Sequence, residues 1–156
     1  MDGHGQYVVP GLVDIHMHIE SSMVTPAVFA DYVVKHGLTT LVTEPHEMAN
    51  VMGRKGILDM IDSAKEAPID IYYGSPSSVP VCGPEIETSG GIIDAKDMMA
   101  LKENPMVKCV GEVMQYRGVI QPNSNLEISK YIDYIKNTLR DETFPIEGHC
   151  PSLKDF

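Results

Sequence analysis

The chain alternates short apolar runs rich in β-branched residues with longer segments in which apolar residues recur every three or four positions. The first pattern predicts buried strands and the second predicts amphipathic helices. Strands are predicted at residues 11–16, 39–43, 69–73, 107–112 and 146–149. Because helical segments separate most of them, we expect a parallel sheet of the α/β class.

Helices are predicted at residues 26–36, 54–67, 95–103 and 126–141. The first has Thr25 as its N-cap, Pro26 at its first position and Gly37 just past its end. Its apolar face is expected to carry Phe29, Tyr32 and Val33, and that of the second helix Ile57, Leu58, Ile61 and Ala64. A long loop rich in Pro, Ser and Gly is expected after the third strand, as far as residue 91.

Polar residues with catalytic potential collect where the predicted strands end. They are His16 and His18 after the first strand, His46 and Glu47 after the second, Glu112 after the fourth and His149 at the fifth. In (β/α) barrels the loops at the carboxyl ends of the strands build the active site. The positions therefore predict part of a TIM-type (β/α) barrel with one site at that end.

The His-x-His pair that ends the first apolar run suggests a metal centre. Side chains two residues apart in a strand face the same side, about 7 Å apart, and two imidazoles can bind one ion. His16, His18, Glu112 and His149 form a candidate two-metal set, because a carboxylate can bridge ions about 3.5–4 Å apart. The alternatives are a solvent-facing carboxylate for Glu112 and a core histidine for His149.

Four further residues are candidates for binding a substrate. Glu20 and Ser21 follow the histidine pair, and the alternative for them is capping the entry to a helix. His46 and Glu47 can shape a pocket, and the alternative is capping a loop. His46-Glu47 is not a zincin motif, because Asn50 stands where the second histidine is needed.

Composition excludes several classes of function. The 156 residues suffice for one domain, and 43% hydrophobic with 22% charged residues is ordinary for a globular protein. A net charge of −10 argues against nucleic-acid binding, and no apolar run is long enough to span a membrane. No signal peptide is evident, and Cys82, Cys109 and Cys150 do not suggest disulfides. We expect a cytoplasmic protein.

Four segments resemble the adenine deaminase branch of the amidohydrolase superfamily. They are residues 10–23 with His-Ile-Glu-Ser-Ser-Met, 44–53 with Pro-His-Glu-Met-Ala-Asn-Val, 111–119 and 147–149. The resemblance implies hydrolytic deamination of adenine to hypoxanthine and ammonia by a metal-activated hydroxide on a binuclear centre. It implies that His16 and His18 bind the first metal, that Glu112 is catalytic and bridges both ions, and that His149 binds the second. Manganese or iron would suit the family, and zinc is possible.

The chain departs from that family in its extent. Family members begin with a strand-rich segment before the barrel, and they add a metal-ligating histidine and a proton-shuttling aspartate after the fifth strand. A complete barrel takes about 250 residues, so residues 1–156 are expected to form about five of eight βα units of the catalytic domain. We expect a poorly active fragment that associates with itself through open strand edges, with the inward faces of Val13, Leu41 and Val110, or of their strand neighbours, exposed. The alternatives are an amidohydrolase acting on other cyclic amide C–N bonds, or a non-catalytic metal-binding fragment.

Overall fold

A single parallel sheet organises the part of the chain that the computed structural model describes, residues 2–114 and 143–149. Its five strands lie side by side in chain order, as in the wall of a (β/α) barrel. They are β1 (Leu12–Met17), β2 (Leu38–Thr43), β3 (Asp70–Ser75), β4 (Val107–Val113) and β5 (Ile146–Gly148). The predicted α/β class and partial barrel are confirmed.

The described helices lie between consecutive strands. They are α1 (Pro26–Val33), α2 (His46–Met52), α3 (Arg54–Ser63) and α4 (Ala95–Lys102). The sequence did not predict α2, and α3 ends at Ser63, four residues before the expected end. The helix predicted at residues 126–141 lies outside the described residues. None of the described helices is long and apolar enough to cross a membrane.

The core lies between the sheet and the helices. Tyr73 is fully buried there, and its hydroxyl donates a hydrogen bond to the Met60 carbonyl of α3 at 2.9 Å. Residues paired across a parallel ladder point the same way, so Leu41 beside Ile71 also faces the helices. Alternate residues, such as Gly74, consequently face the opposite side, which corresponds to the barrel interior.

Four of the named residues are oriented differently from the prediction. Leu41 and Val110 are fully buried because they face the helices and not the interior. Tyr32 is 67% exposed, since Pro26 and Ala30 are the buried residues of α1. Leu58 is 38% exposed, and Met60 is buried on the face of α3 where Leu58 was expected.

β1 has the most exposed surface of the described sheet. It pairs with β2 on one side, and the exposed fractions of Leu12, Val13 and Ile15 are 59%, 59% and 73%. Val13 is thus exposed, as expected. Because these residues alternate along the strand, both faces of β1 present apolar side chains.

Candidate metal centre

His16, His18 and Glu112 converge at the carboxyl end of the sheet. His16 lies near the end of β1 and His18 just beyond it, with their ring centroids 5.0 Å apart. Glu112 lies at the end of β4, and its Oε2 is 3.7 Å from His18 Nε2. One ligand atom from each of the three residues lies within 4.8 Å of the others. The structure therefore brings these predicted site residues together.

Hydrogen bonds to Nδ1 orient both histidine rings. His18 Nδ1 is 2.8 Å from the Glu44 carbonyl oxygen, and His16 Nδ1 is 3.1 Å from Glu147 Oε1. A carbonyl or carboxylate oxygen accepts, so each Nδ1 carries the proton and donates it. Nε2 of each neutral ring then keeps its lone pair, the arrangement usual for metal-ligating histidines held by an oxygen on the other nitrogen.

Glu112 is buried, with 7% of its surface exposed. Among the described residues its ion pairs are all with histidines: His18 and His46 at 3.7 Å, and His149, whose Nε2 contacts Oε1. A solvent-facing carboxylate is excluded by this burial. His149 follows β5 and its side chain is 63% exposed, so it is not a core histidine. The four predicted metal residues thus meet at Glu112 or beside it.

The four substrate candidates form the rim of the same cluster. Ser21 Oγ donates to Glu47 Oε1 at 2.5 Å, and the Met48 amide donates to Glu20 Oε1 at 3.4 Å. These bonds join the loop after β1 to α2, and the second supports the capping alternative for Glu20. Burial is the largest cause that raises the pKa of Glu20 and lowers the pKa of His46.

Two functional candidates were missed by the sequence reasoning. Glu147 was passed over although it holds the ring of His16. Glu44 is 1% exposed, and its carboxyl packs against Gly74 and Gly111 in the barrel interior. Burial, with Glu147 and Glu112 nearby, raises the pKa of Glu44 well above its ordinary value. The two glycines inside strands were the available signal, because such glycines mark close approach of another group.

The cluster fits a divalent cation. The lone pair of His18 Nε2 faces a carboxylate oxygen of Glu112, an arrangement that a cation between them stabilises. His46 Nδ1 is buried without a hydrogen-bond partner among the described residues. Imidazole nitrogens with carboxylate oxygens are donors suited to manganese, iron and zinc. This donor set is therefore suited to a divalent metal ion.

Comparison with known proteins agrees with this geometry. The amidohydrolase family matches residues 7–146, so the chain belongs to that family. It is 43% identical to an adenine deaminase of Clostridium perfringens over 99% of this chain and 26% of that protein. It is 44% identical to an adenine deaminase of Lactobacillus delbrueckii, over 97% of this chain and 26% of that protein. It is also 44% identical to adenine deaminase 2 of Shouchella clausii, over 98% of this chain and 26% of that protein. The chain spans about a quarter of the length of these relatives.

Proposed function

We propose that this chain forms the metal-binding part of a hydrolytic adenine deaminase, which converts adenine and water to hypoxanthine and ammonia. The observation that carries the proposal is the convergence of His16, His18 and Glu112, with both histidines held at Nδ1 by oxygen acceptors. The relatives named adenine deaminases supply the reaction and the substrate.

In this proposal the metal centre is binuclear. His16 and His18 would hold the first cation, His149 would hold the second, and Glu112 would serve as the bridging and catalytic carboxylate. Manganese or iron is the expected metal, with zinc as the third choice. Bound divalent cations supply Lewis acidity and lower the pKa of water. Glu147 and the Glu44 carbonyl keep the two rings of β1 in the tautomer that ligation requires.

The rim residues are proposed to bind adenine. Glu20, Ser21, His46 and Glu47 provide carboxylate, hydroxyl and imidazole groups beside Glu112, and a purine offers ring nitrogens and an amino group to such partners. The Ser21–Glu47 bond fixes the distance between the loop after β1 and α2, the two segments that carry these groups. A cytoplasmic location is part of this proposal, and the free thiols of Cys82 and Cys109 support it.

The first test measures metal binding. The chain is stripped with a chelator and titrated with Mn²⁺ by calorimetry, alone and as the His18→Ala and His36→Ala variants. We expect binding that is weakened at least about tenfold by His18→Ala and left unchanged by His36→Ala. Equal affinity in both variants would contradict the metal centre.

The second test measures the reaction. Ammonia release from adenine is compared with hydrolysis of a cyclic amide, hydantoin, in the presence of Mn²⁺ or Fe²⁺. We expect slow deamination of adenine and no hydrolysis of hydantoin, with the adenine reaction lost in Glu112→Gln. Hydantoin turnover would favour the cyclic amide alternative, and metal binding without either reaction would favour the non-catalytic one.

A further inference from the structure

A second set of metal-ligating side chains lies beside the first. One ligand atom each from His18, His46 and Glu47 lies within 4.8 Å of the others. The set joins the residue just after β1 to the first turn of α2. It shares His18 with the group formed by His16, His18 and Glu112.

The shared histidine makes the two sets mutually exclusive. The Nδ1 proton of His18 is donated to the Glu44 carbonyl at 2.8 Å, so Nε2 is the nitrogen left for a cation. One nitrogen ligates one cation at a time. Two separate cations therefore cannot use both sets at once, and a single cation held through His18 can take its other ligands from His16 and Glu112 or from His46 and Glu47.

The groups of the second set are available for ligation. Ser21 Oγ donates to Oε1 of Glu47 at 2.5 Å, which orients that carboxylate and leaves Oε2 for another partner. Nδ1 of His46 is buried without a hydrogen bond among the described residues and lies 3.7 Å from Glu112 Oε2, beyond hydrogen-bond distance. The His46 ring centroid is 4.7 Å from that of His18. Two imidazoles and one carboxylate form a donor set that proteins use for zinc and for ferrous iron.

We propose that His46 and Glu47 form, with His18, an outer position for a divalent transition-metal cation, which alternates with the inner position at His16, His18 and Glu112. If adenine binds the rim as proposed above, a cation in the outer position occupies the same groups and competes with it. That competition rests on the proposed function, whereas the outer position itself does not.

The experiment isolates the outer position with cobalt as the probe. The His16→Ala/Glu112→Gln double variant lacks two ligands of the inner position, and Co²⁺ binding is followed by its visible absorption. We expect one Co²⁺ to bind this variant, and addition of Glu47→Ala to weaken that binding at least about tenfold. Addition of His36→Ala, the matched control, leaves the affinity unchanged. The proposal would be overturned if a double variant with the circular dichroism of the parent binds no Co²⁺. It would also be overturned if Glu47→Ala leaves the Co²⁺ affinity unchanged.

A second measurement needs no inner-site variant. The unaltered chain, labelled with ¹⁵N histidine, is titrated with Zn²⁺, and the His46 ring signals are assigned from the His46→Gln spectrum. Because the cation alternates between the two positions, we expect the His46 ring nitrogens to shift already with the first equivalent of Zn²⁺, and to shift less in Glu47→Ala. Unshifted His46 signals at saturating Zn²⁺ would overturn the outer position. Because no substrate is present in either measurement, failure of the adenine deaminase assignment would leave both results unaffected.

Discussion

Glu44 sets a steric condition on glycines of two neighbouring strands. Its carboxyl occupies the space where Gly74 and Gly111 have no side chains, and neither carboxylate oxygen has a hydrogen-bond partner in the described part of the chain. A Cβ on Gly111 would overlap the carboxyl group of Glu44. Gly111 is not among the glycines with positive φ, so the requirement at this position is space and not backbone conformation.

Gly111→Ala is therefore expected to lower the free energy of unfolding by about 1–3 kcal/mol, the usual cost of overpacking a filled interior. Urea unfolding of the metal-free chain measures it, with Gly3→Ala as the control because a Cβ there meets only a carbonyl oxygen at 3.5 Å. Adding Glu44→Ala to Gly111→Ala should restore most of the loss. An equal loss with and without Glu44 would show that the clash is elsewhere.

The thiols of Cys82 and Cys109 are expected to react at very different rates. Cys82 is exposed, whereas burial is the main cause that raises the pKa of Cys109 to about 12. The thiolate is the reactive form, so at pH 8 the folded chain should alkylate at Cys82 and not at Cys109. Peptide mapping by mass spectrometry measures this, and urea should bring both thiols to similar rates. Fast labelling of Cys109 without urea would contradict its burial.

The sequence predicts which side chains collect at the site but not how they are held. His16, His18 and Glu112 were found because polar residues at the ends of apolar runs are visible in one dimension. Glu147 holds the ring of His16 from 131 residues away, and no local pattern records that distance. Glu44 was missed for a similar reason, because its carboxyl packs against Gly74 and Gly111, which belong to two other strands.

At the level of elements, α4 has the best-defined beginning of the described helices. The Asp94 side chain accepts hydrogen bonds from the amides of Lys96 and Asp97 at 2.8 and 2.9 Å, and Asp97 reaches back to the Asp94 amide. This is a capping box. Thr25 also occupies the N-cap position predicted for it, at the start of α1, but its side chain makes no capping hydrogen bond.

We expect Asp94→Ala to cost about 1 kcal/mol of stability, since it leaves two amides of α4 without acceptors. Thr25→Ala should cost less than about 0.5 kcal/mol, because there is no capping bond to lose. Thermal unfolding monitored by circular dichroism compares the two variants under one condition. A larger loss from Thr25→Ala would contradict the capping geometry.

Strands were easier to predict than helices in this chain. Strands such as β2 and β4 are short apolar runs between polar turns, and a buried parallel strand leaves that signature directly in the sequence. By contrast, α2 has only seven residues, too few for its period to stand out. On α1 only Tyr32 was misassigned, because Phe29 and Val33 pack against the core beside buried Ala30 whereas Tyr32 is exposed.

At the level of the whole molecule, exposed β1 predicts self-association of the chain. Apolar residues on both of its faces and an open edge in the described sheet favour pairing with another copy. We expect sedimentation velocity to show mass increasing with concentration, and Ile15→Lys to reduce it. Ile86→Lys is the matched control, because Ile86 is 74% exposed against 73% for Ile15 and lies outside the sheet. A monomer at all concentrations would contradict this prediction.

The order of the strands followed from the sequence because helical segments separate most consecutive strands, which favours parallel neighbours. The direction in which each residue faces, toward the interior or toward the helices, did not follow from the sequence. Each strand buries apolar residues, and their alternation with polar residues is weak. Leu41 and Val110 show the difficulty, because their direction is fixed by partners across the ladder. Ladder register depends on contacts between strands, which the periodicity of one strand does not encode.

The bonds from Ser21 to Glu47 and from Met48 to Glu20 also bear on how the site can evolve. Because they tie the loop after β1 to α2, a change in that loop alters the position of α2, and a change in α2 alters the position of the loop. Single substitutions that enlarge the pocket from one side would lose a bond before they gain a new contact. Selection for a larger substrate would therefore proceed through paired replacements. A library that randomises the loop after β1 together with the first turn of α2 would contain more active members than two libraries that randomise these segments separately.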